Sequence, residues 1–537
     1  MPVFVHSFLR SNFLFRLHFS SFQSLHCSRR DSCTKFLRLS THFASAMNKI
    51  EEYKKEKNGL DVWEDIQRYS REGPEAIIER DKALMKWYGV FFRRHTPGFF
   101  MMRIRIPNGV ASSTQVRALA EVTKTLGAGF ADITTRQQIQ LRSVRIEKIP
   151  EIFARLQEIG LTSLQTGMDN IRNVMGCPVA GLTPQELFDA SPVVREFTQT
   201  FVGNRAYTNL PRKFNVTITG CLENCTPTES QDIAMVPAHK DDRVGFHILV
   251  GGKMGSGGYR RADDLDVFVE PQTAASVAAA IVRVFRDHGS REARNRSRFA
   301  FLVETWGVER IREAVEQECG TPLERAGEDA RSKKRTDHIG IYRQQDKRNF
   351  VGLVVPTGRI TAEQLAEVAW LIDVYGSGEV RFTAEQNLIV PNVSDEKLGA
   401  FAEEALLKEL RYDPPEVLRG LVTCTGIDFC DLALIDTKAR ALPIAHLLAA
   451  KLQDLKTPLR LAWSGCPAGC ANHHLASIGL EGTKVRVNGK VVEAVDVYVG
   501  GRSGKDPKAG QRIMEGVPCD TLPEVLEYLV QYYPKER

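Results

Sequence analysis

Among the 537 residues, no uninterrupted apolar run approaches the roughly 18 to 20 residues needed to cross a bilayer, so no membrane-spanning helix is expected. No G-x-G-x-x-G turn stands between a strand and a helix. The nearest glycine-rich stretch, Gly251-Gly252-Lys253-Met254-Gly255-Ser256-Gly257-Gly258, lacks the context that binds a dinucleotide. The eleven cysteines include no C-x2-C pair of the zinc-ribbon kind, and their odd number and irregular spacing argue against a secreted disulfide framework. A concentrated basic face is also missing. The formal charge of +6 is mostly the +5 of residues 1–46, which leaves about +1 for the rest and none of the electrostatic footprint of nucleic-acid binding. The nearest basic run, Arg331, Lys333, Lys334 and Arg335, is flanked by polar residues and reads as a solvated linker.

What remains is ordinary in bulk: 43% hydrophobic and 26% charged, in a chain too long for a single core, so two to four domains are expected. Residues 1–46 stand apart. They are rich in Ser, Phe, Arg and His, and Asp31 is their single acid. That is the composition of an organellar transit peptide, or of an untranslated stretch ahead of a start at Met47. In either case it is set aside from the fold.

The body contains a duplication. Met102 to Gly109 overlays Val351 to Gly358 at an offset of 249, and at that offset Gln115 meets Gln364, Gly127 meets Gly376, Thr134 meets Thr383 and Gln137 meets Gln386. Val250-Gly251-Gly252 likewise meets Val499-Gly500-Gly501. Each copy opens on a β-rich run ending at Pro-x-Gly. A helix follows, with Val116, Leu119 and Ala120, or Leu365, Val368 and Ala369, at i, i+3, i+4. Next come a second strand, Ala131 to Val144 or Glu379 to Val393, and a second helix. Two such halves can complete each other's sheet. The remainder of each copy reads as a larger mixed domain, so the fold class is α+β (mixed α/β) and internally duplicated.

Four cysteines form a group, Cys424-x5-Cys430 and Cys466-x3-Cys470. Two nearby segments supplying four thiolates suit a [4Fe–4S] cluster, with structural zinc or unrelated buried thiols as alternatives. The small residues of Gly465-Cys466-Pro467-Ala468-Gly469-Cys470 let backbone N–H groups approach inorganic sulfide, which favours the cluster. The first copy has Cys221-x3-Cys225, overlaying the second pair at an offset of 245, with Cys177 alone in the region of the other pair. Two cysteines cannot complete a cluster, so these are expected to be thiols left by the duplication; a second metal site is the sharper alternative. The first copy also carries Arg103, Arg136, Arg172, Arg212 and Lys213 beside local motifs, whereas the second has Gly352 and Glu385 at the positions of Arg103 and Arg136. Divergence of this kind is expected when one half supplies an anion site.

Taken together, the cysteine spacing and the basic motifs resemble the sirohaem-dependent nitrite and sulfite reductases over about residues 60–537, most closely the ferredoxin-dependent assimilatory nitrite reductases. The resemblance implies two ferredoxin-like half-domains (91–164 and 346–411) and two larger reductase domains (165–330 and 412–537), with an N-terminal helical segment over 47–90 and a linker over 331–345. It implies a [4Fe–4S] cluster on Cys424, Cys430, Cys466 and Cys470, with the Cys470 thiolate also an axial ligand to sirohaem iron. Arg103, Arg172, Lys213 and Asn215 would face the bound anion, and Arg136 and Arg212 would pair with sirohaem carboxylates. Lys213-Phe214-Asn215 carries the Lys-x-Asn of nitrite reductases where those acting on sulfite have Lys-x-Lys. The implied activity is the six-electron reduction of nitrite to ammonium. The alternatives are sulfite reduction, a cobalamin-pathway monooxygenase with the same cluster motif, and a non-catalytic zinc or electron-carrier protein. With no room for a flavin domain, electrons would come from a separate protein, which the resemblance implies is ferredoxin. A cytoplasmic monomer without nucleic-acid or membrane partners is expected, or a plastid stromal one if residues 1–46 are a transit peptide.

Overall fold

The computed structural model describes residues 48–532 apart from Ser256; the atypical opening stretch of 46 residues lies outside them. Within the described residues, each small half-domain is a five-stranded sheet completed by the other. Strands Val90–Phe91, Phe99–Ile104, Ile139–Arg145 and Phe130–Ile133 are joined at the edge by Arg359–Thr361 of the second copy. Reciprocally, Gly340–Arg343, Asn349–Leu353, Leu388–Val393 and Glu379–Phe382 accept Val110–Ser112 of the first. Exchange of a short antiparallel strand covers the longer strand beneath it and leaves each sheet ending on that side in an edge of only three residues.

The matched glutamines explain part of this symmetry. Ser112 and Gln115 form a capping box on the helix Ser113–Leu126, and Thr361 and Gln364 form the same box on Ala362–Val374. Gln137 and Gln386 cross between copies: Gln137 Nε2 donates to Phe382 O at 3.0 Å and Gln386 Nε2 to Ile133 O at 3.0 Å. Gly109 and Gly358 adopt φ of +71° and +69°, and a side chain on either would strike the opposite copy, at the Phe382 or the Ile133 carbonyl.

One expectation needs correction. The second strand of each half is a hairpin, Phe130–Ile133 with Ile139–Arg145, and Glu379–Phe382 with Leu388–Val393. Its turn contains Arg136 and Gln137 in one copy, Glu385 and Gln386 in the other. Gln137 and Gln386 hold φ of 57° and 67°, so the backbone turns back where one continuous strand was expected.

The two larger domains share one topology. In the first, Ile171–Met175, Phe214–Ile218 and Ile233–Lys240 run parallel, then Arg243–Val250 and Asp263–Val269 follow antiparallel. In the second, Leu421–Thr423, Leu461–Ser464 and Ile478–Val487 run parallel, followed antiparallel by Lys490–Val499 and Gln511–Pro518. Helix Pro271–His288 covers the first sheet, with the rings of Phe214, Phe285 and Phe299 meeting tilted and edge-on in its core. The second sheet's core centres on Trp463, Leu480 and Leu526. Among the described residues no helix is long and apolar enough to cross a membrane.

The basic run read as a solvated linker is corrected in part. Lys333 and Lys334 are exposed, but Arg331 is 6% exposed and bonds Asp329 and Thr228, and Arg335 is half-buried against Glu385. Local composition hid the second pair because Glu385 lies 50 residues further along the chain.

Candidate active site

Parallel strands gather the four C-terminal cysteines. Thr423 and Trp463 are register partners, and Cys424 and Cys466 follow just beyond the carboxyl ends of those strands, where open parallel sheets bind ligands. Cys430 follows the short turn Ile427–Phe429, and Cys470 follows Gly469, whose φ is +66°. Each of Cys424, Cys430 and Cys466 senses the charge of Cys470. Burial pushes the Cys424 thiol up to about 11 and the Cys466 thiol up to about 12. Backbone N–H groups work against it: Gly465 and Gly426 on Cys424, Leu432 and Ala433 on Cys430, Ala468 on Cys466. The Gly465 amide donates to Cys424 Sγ at 3.1 Å. Donors of this kind favour thiolate over thiol and suit sulfur bound to metal.

Opposite Cys470 lies the first copy. A cavity lined by Arg136, Lys213, Asn215, Gln231, Met254 and Cys470 brings three of the expected basic and polar residues together with the expected bridging sulfur. Thr135 Oγ1 donates to the Cys470 carbonyl at 3.0 Å, fixing the hairpin turn against the cysteine loop. Arg103 and Arg172 stand beside this cavity, both donating to Thr166 O, at 3.1 and 2.8 Å. Arg212 is set apart, near Arg294 and Asp169.

The electrostatics are lopsided. Burial, then the neighbouring Arg136 and Arg142, brings Arg103 down to about 9. Burial, then Arg298 and Arg136, holds Lys213 well below its ordinary value. Burial, then Arg103 and Arg136, does the same to Arg172. Arg212 falls to about 10 through burial and Arg294. The nearest acids are already engaged: Asp232 bonds Arg298 at 2.8 Å and Asp169 bonds Arg294 at 2.8 Å. Arg172 Nε and Asn215 Oδ1 are buried without a protein partner.

Sequence reasoning missed Arg298 and Arg142. Arg298 is 1% exposed and orders Asp232, which accepts from the Asn215 amide at 2.8 Å. Arg142, also 1% exposed, bonds Asp132 and reaches Thr425 Oγ1 at 3.1 Å, one residue after Cys424. Arg142 lies six residues past Arg136, inside the stretch Ala131 to Val144 expected to be a strand and beside a motif already singled out; nothing local marked Arg298.

A profile described as the nitrite/sulfite reductase ferredoxin-like half domain matches residues 92–159 and 342–408. A second, the nitrite and sulphite reductase 4Fe-4S domain, matches 167–323 and 416–537. The chain belongs to the nitrite and sulphite reductase family. Ferredoxin–nitrite reductase of Synechococcus elongatus is 44% identical over 492 residues, covering 90% of this chain and 96% of that one. The chloroplastic ferredoxin–nitrite reductase of Spinacia oleracea is 40% identical, covering 93% and 88%. The solved structure of the Mycobacterium tuberculosis NirA protein superposes with a TM-score of 0.87 at 30% identity, over 91% of this chain and 94% of that one.

Sirohaem and a [4Fe–4S] cluster are the cofactors of this family, and the residues present suit both. The cluster needs four thiolates near amide donors, which Cys424, Cys430, Cys466 and Cys470 provide. Sirohaem carries eight carboxylates, and the cavity wall offers a surplus of buried cations with donors left over at Arg172. Buried charge of one sign is costly without a counter-charge, so an anionic occupant is what this wall is built for.

The first copy's cysteines also depart from expectation. Cys221 and Cys225 do not stand as an isolated pair, because Cys177 and His338 join them in a buried group.

Proposed function

We propose that this protein reduces nitrite to ammonium with electrons taken singly from reduced ferredoxin. The observation that carries this reading is the cavity in which Arg136, Lys213 and Asn215 of the first copy meet Cys470 of the second. Sirohaem and the [4Fe–4S] cluster, when bound, supply an iron site for the anion and a store of single electrons beside it. Cys424, Cys430, Cys466 and Cys470 would hold the cluster, and Cys470, which also lines the cavity, would hold the sirohaem from that side. Arg136 and Arg212 would pair with carboxylates of the macrocycle.

The substrate side falls to Arg103, Arg172, Lys213 and Asn215. Arginine holds a planar oxyanion through paired N–H groups. Lys213 is suited to more than binding: desolvation and its cationic neighbours make its Nζ proton easier to give up, so it can protonate an oxygen leaving nitrogen. A fixed positive wall in a partly dry cavity also stabilises the negative charge that each added electron brings.

Optical and EPR spectra with and without nitrite, followed by turnover with reduced ferredoxin or viologen, test the proposal. A Soret band that shifts on adding nitrite, and a higher kcat/KM for nitrite than for sulfite, are expected. A protein without a Soret band, or one that clearly prefers sulfite, would overturn it. Sulfite reduction is the second reading, and Asn215 in place of a second lysine stands against it. We further propose a monomer, cytoplasmic or, if the opening residues are a transit peptide, in the plastid stroma.

A further inference from the structure

We propose that Cys177, Cys221, Cys225 and His338 form a structural zinc site, separate from the redox centre and built where the duplication would have placed a second cluster. Their ligand atoms all lie within 4.8 Å of one another, and all four residues are buried, at 1%, 2%, 7% and 2% exposure. Cys177 Sγ stands 3.9 Å from His338 Nε2. Three thiolates and one imidazole are a set that zinc takes in closed, four-coordinate structural sites.

The backbone explains how the four meet. Met175 and Thr217 are register partners on parallel strands, and Cys177 and Cys221 follow the ends of those strands as Cys424 and Cys466 follow theirs. Cys225 returns through the turn that in the other copy presents Cys470. The fourth ligand comes from the connector between the copies, where His338 holds φ of 59°, a conformation most L-residues visit rarely. Phe350 and Tyr342 meet the imidazole edge-on, and Val179, Ala180 and Ile389 complete an apolar wall. The connector is also fixed independently, since Asn224 Nδ2 donates to the carbonyls of Ser332 and Lys334. A metal here would tie the first large domain to the start of the second copy.

Spacing decides between candidate occupants. Tetrahedral ligands at a zinc–sulfur distance of ~2.3 Å lie about 3.8 Å apart, which suits a group closed to within 4.8 Å. A cubane binds each thiolate through a different iron and spreads them further; among the described residues, no three of the four C-terminal sulfurs close to that distance. A disulfide would use two of the three sulfurs and leave the third, with His338, unexplained.

The test is metal analysis of the intact holoprotein, purified from zinc-supplemented cells in metal-free buffer, with zinc K-edge EXAFS on the same sample. About one zinc per chain with a shell of three sulfurs and one nitrogen is expected. Cys221→Ser should lower zinc about tenfold while iron content and visible spectrum stay as in the parent. Should that variant fail to fold, the EXAFS shell of the unaltered protein decides alone. Zinc at background with iron at full content, a shell without three sulfurs, zinc retained in Cys221→Ser, or a Cys221–Cys225 disulfide on intact-mass and peptide analysis would each overturn the proposal.

Discussion

The two copies build equivalent cavities and fill them in opposite ways. In the first copy, Arg103, Arg136, Arg172 and Lys213 crowd together with their nearest acids engaged elsewhere, and they look across at Cys470. In the second, Glu385 stands in the place of Arg136 and is buried between Arg335 and Arg460, while Arg419 is held by both oxygens of Asp337 at 2.7 Å. Burial works to raise the Glu385 carboxyl, and the two arginines overcome it and hold it below its ordinary value. One cavity is therefore short of negative charge and the other supplies its own. Duplicated folds can specialise this way with few substitutions, because the scaffold that positions a side chain is already paired and only the sign of the charge has to change.

The sulfur sets differ in the same sense. The second copy spreads four cysteines among backbone donors beside an anion cavity; the first gathers three cysteines and a histidine tightly, near the paired Arg335 and Glu385. The largest effect is accordingly expected at Cys470, the cavity-lining sulfur proposed to join the cluster as well. Cys470→Ser should abolish nitrite turnover and, with it, the coupled cluster–haem signature in EPR, since a hydroxyl is a hard, poor substitute for a bridging thiolate. Turnover retained in that variant would show that the bridge is not there. Next in size is Arg136→Glu, which gives the first cavity the residue of the second. A carboxylate among sirohaem carboxylates repels them, so haem content by Soret absorbance should fall by about one to two orders of magnitude at limiting cofactor, equivalent to roughly 1.4–3 kcal/mol.

The converse change probes stability. Glu385→Ala leaves Arg335 and Arg460, both half-buried, without their common partner, and the loss should cost about 3 kcal/mol, the low end for a buried ion pair, because both keep some contact with water. Sirohaem content should be unchanged. The measurable outcome is an earlier first transition in thermal unfolding of the holoprotein, with the visible spectrum intact below it. A variant that loses haem as readily as it loses stability would show that the two cavities are not independent.

Much of this arrangement was readable in the residues because a duplication supplies its own control. The repeated Pro-x-Gly, Gln115 with Gln364, and Gln137 with Gln386 marked the copies, and the structure gives those glutamines matching tasks in capping boxes and cross-copy bonds. The four C-terminal cysteines were readable because ligand spacing within a loop is local. Hairpin turns at Arg136 and Glu385 were not, since a turn made by a glutamine in the left-handed region lacks the usual glycine or proline. Arg298, Arg335 and His338 were not readable either. Each acts on groups far away in the chain, and only the closed sheets bring them within reach.

The smallest expected effect concerns choice of anion. Asn215 is 7% exposed, its amide N–H held by Asp232 at 2.8 Å and its Oδ1 left without a protein partner. Asn215→Lys would place a second ammonium beside Lys213, in a wall already rich in cations. The added repulsion costs both substrates alike, but sulfite can carry more negative charge than nitrite and recovers more of it. The ratio of kcat/KM for sulfite to that for nitrite should therefore rise about tenfold, or ~1.4 kcal/mol of differential transition-state binding, with nitrite turnover reduced in absolute terms. Paired steady-state assays at one ionic strength measure it, because screening would blur a charge effect of this size. An unchanged ratio would move the selectivity away from position 215, to Arg103 and Arg172, where the geometry of the anion rather than its charge would decide.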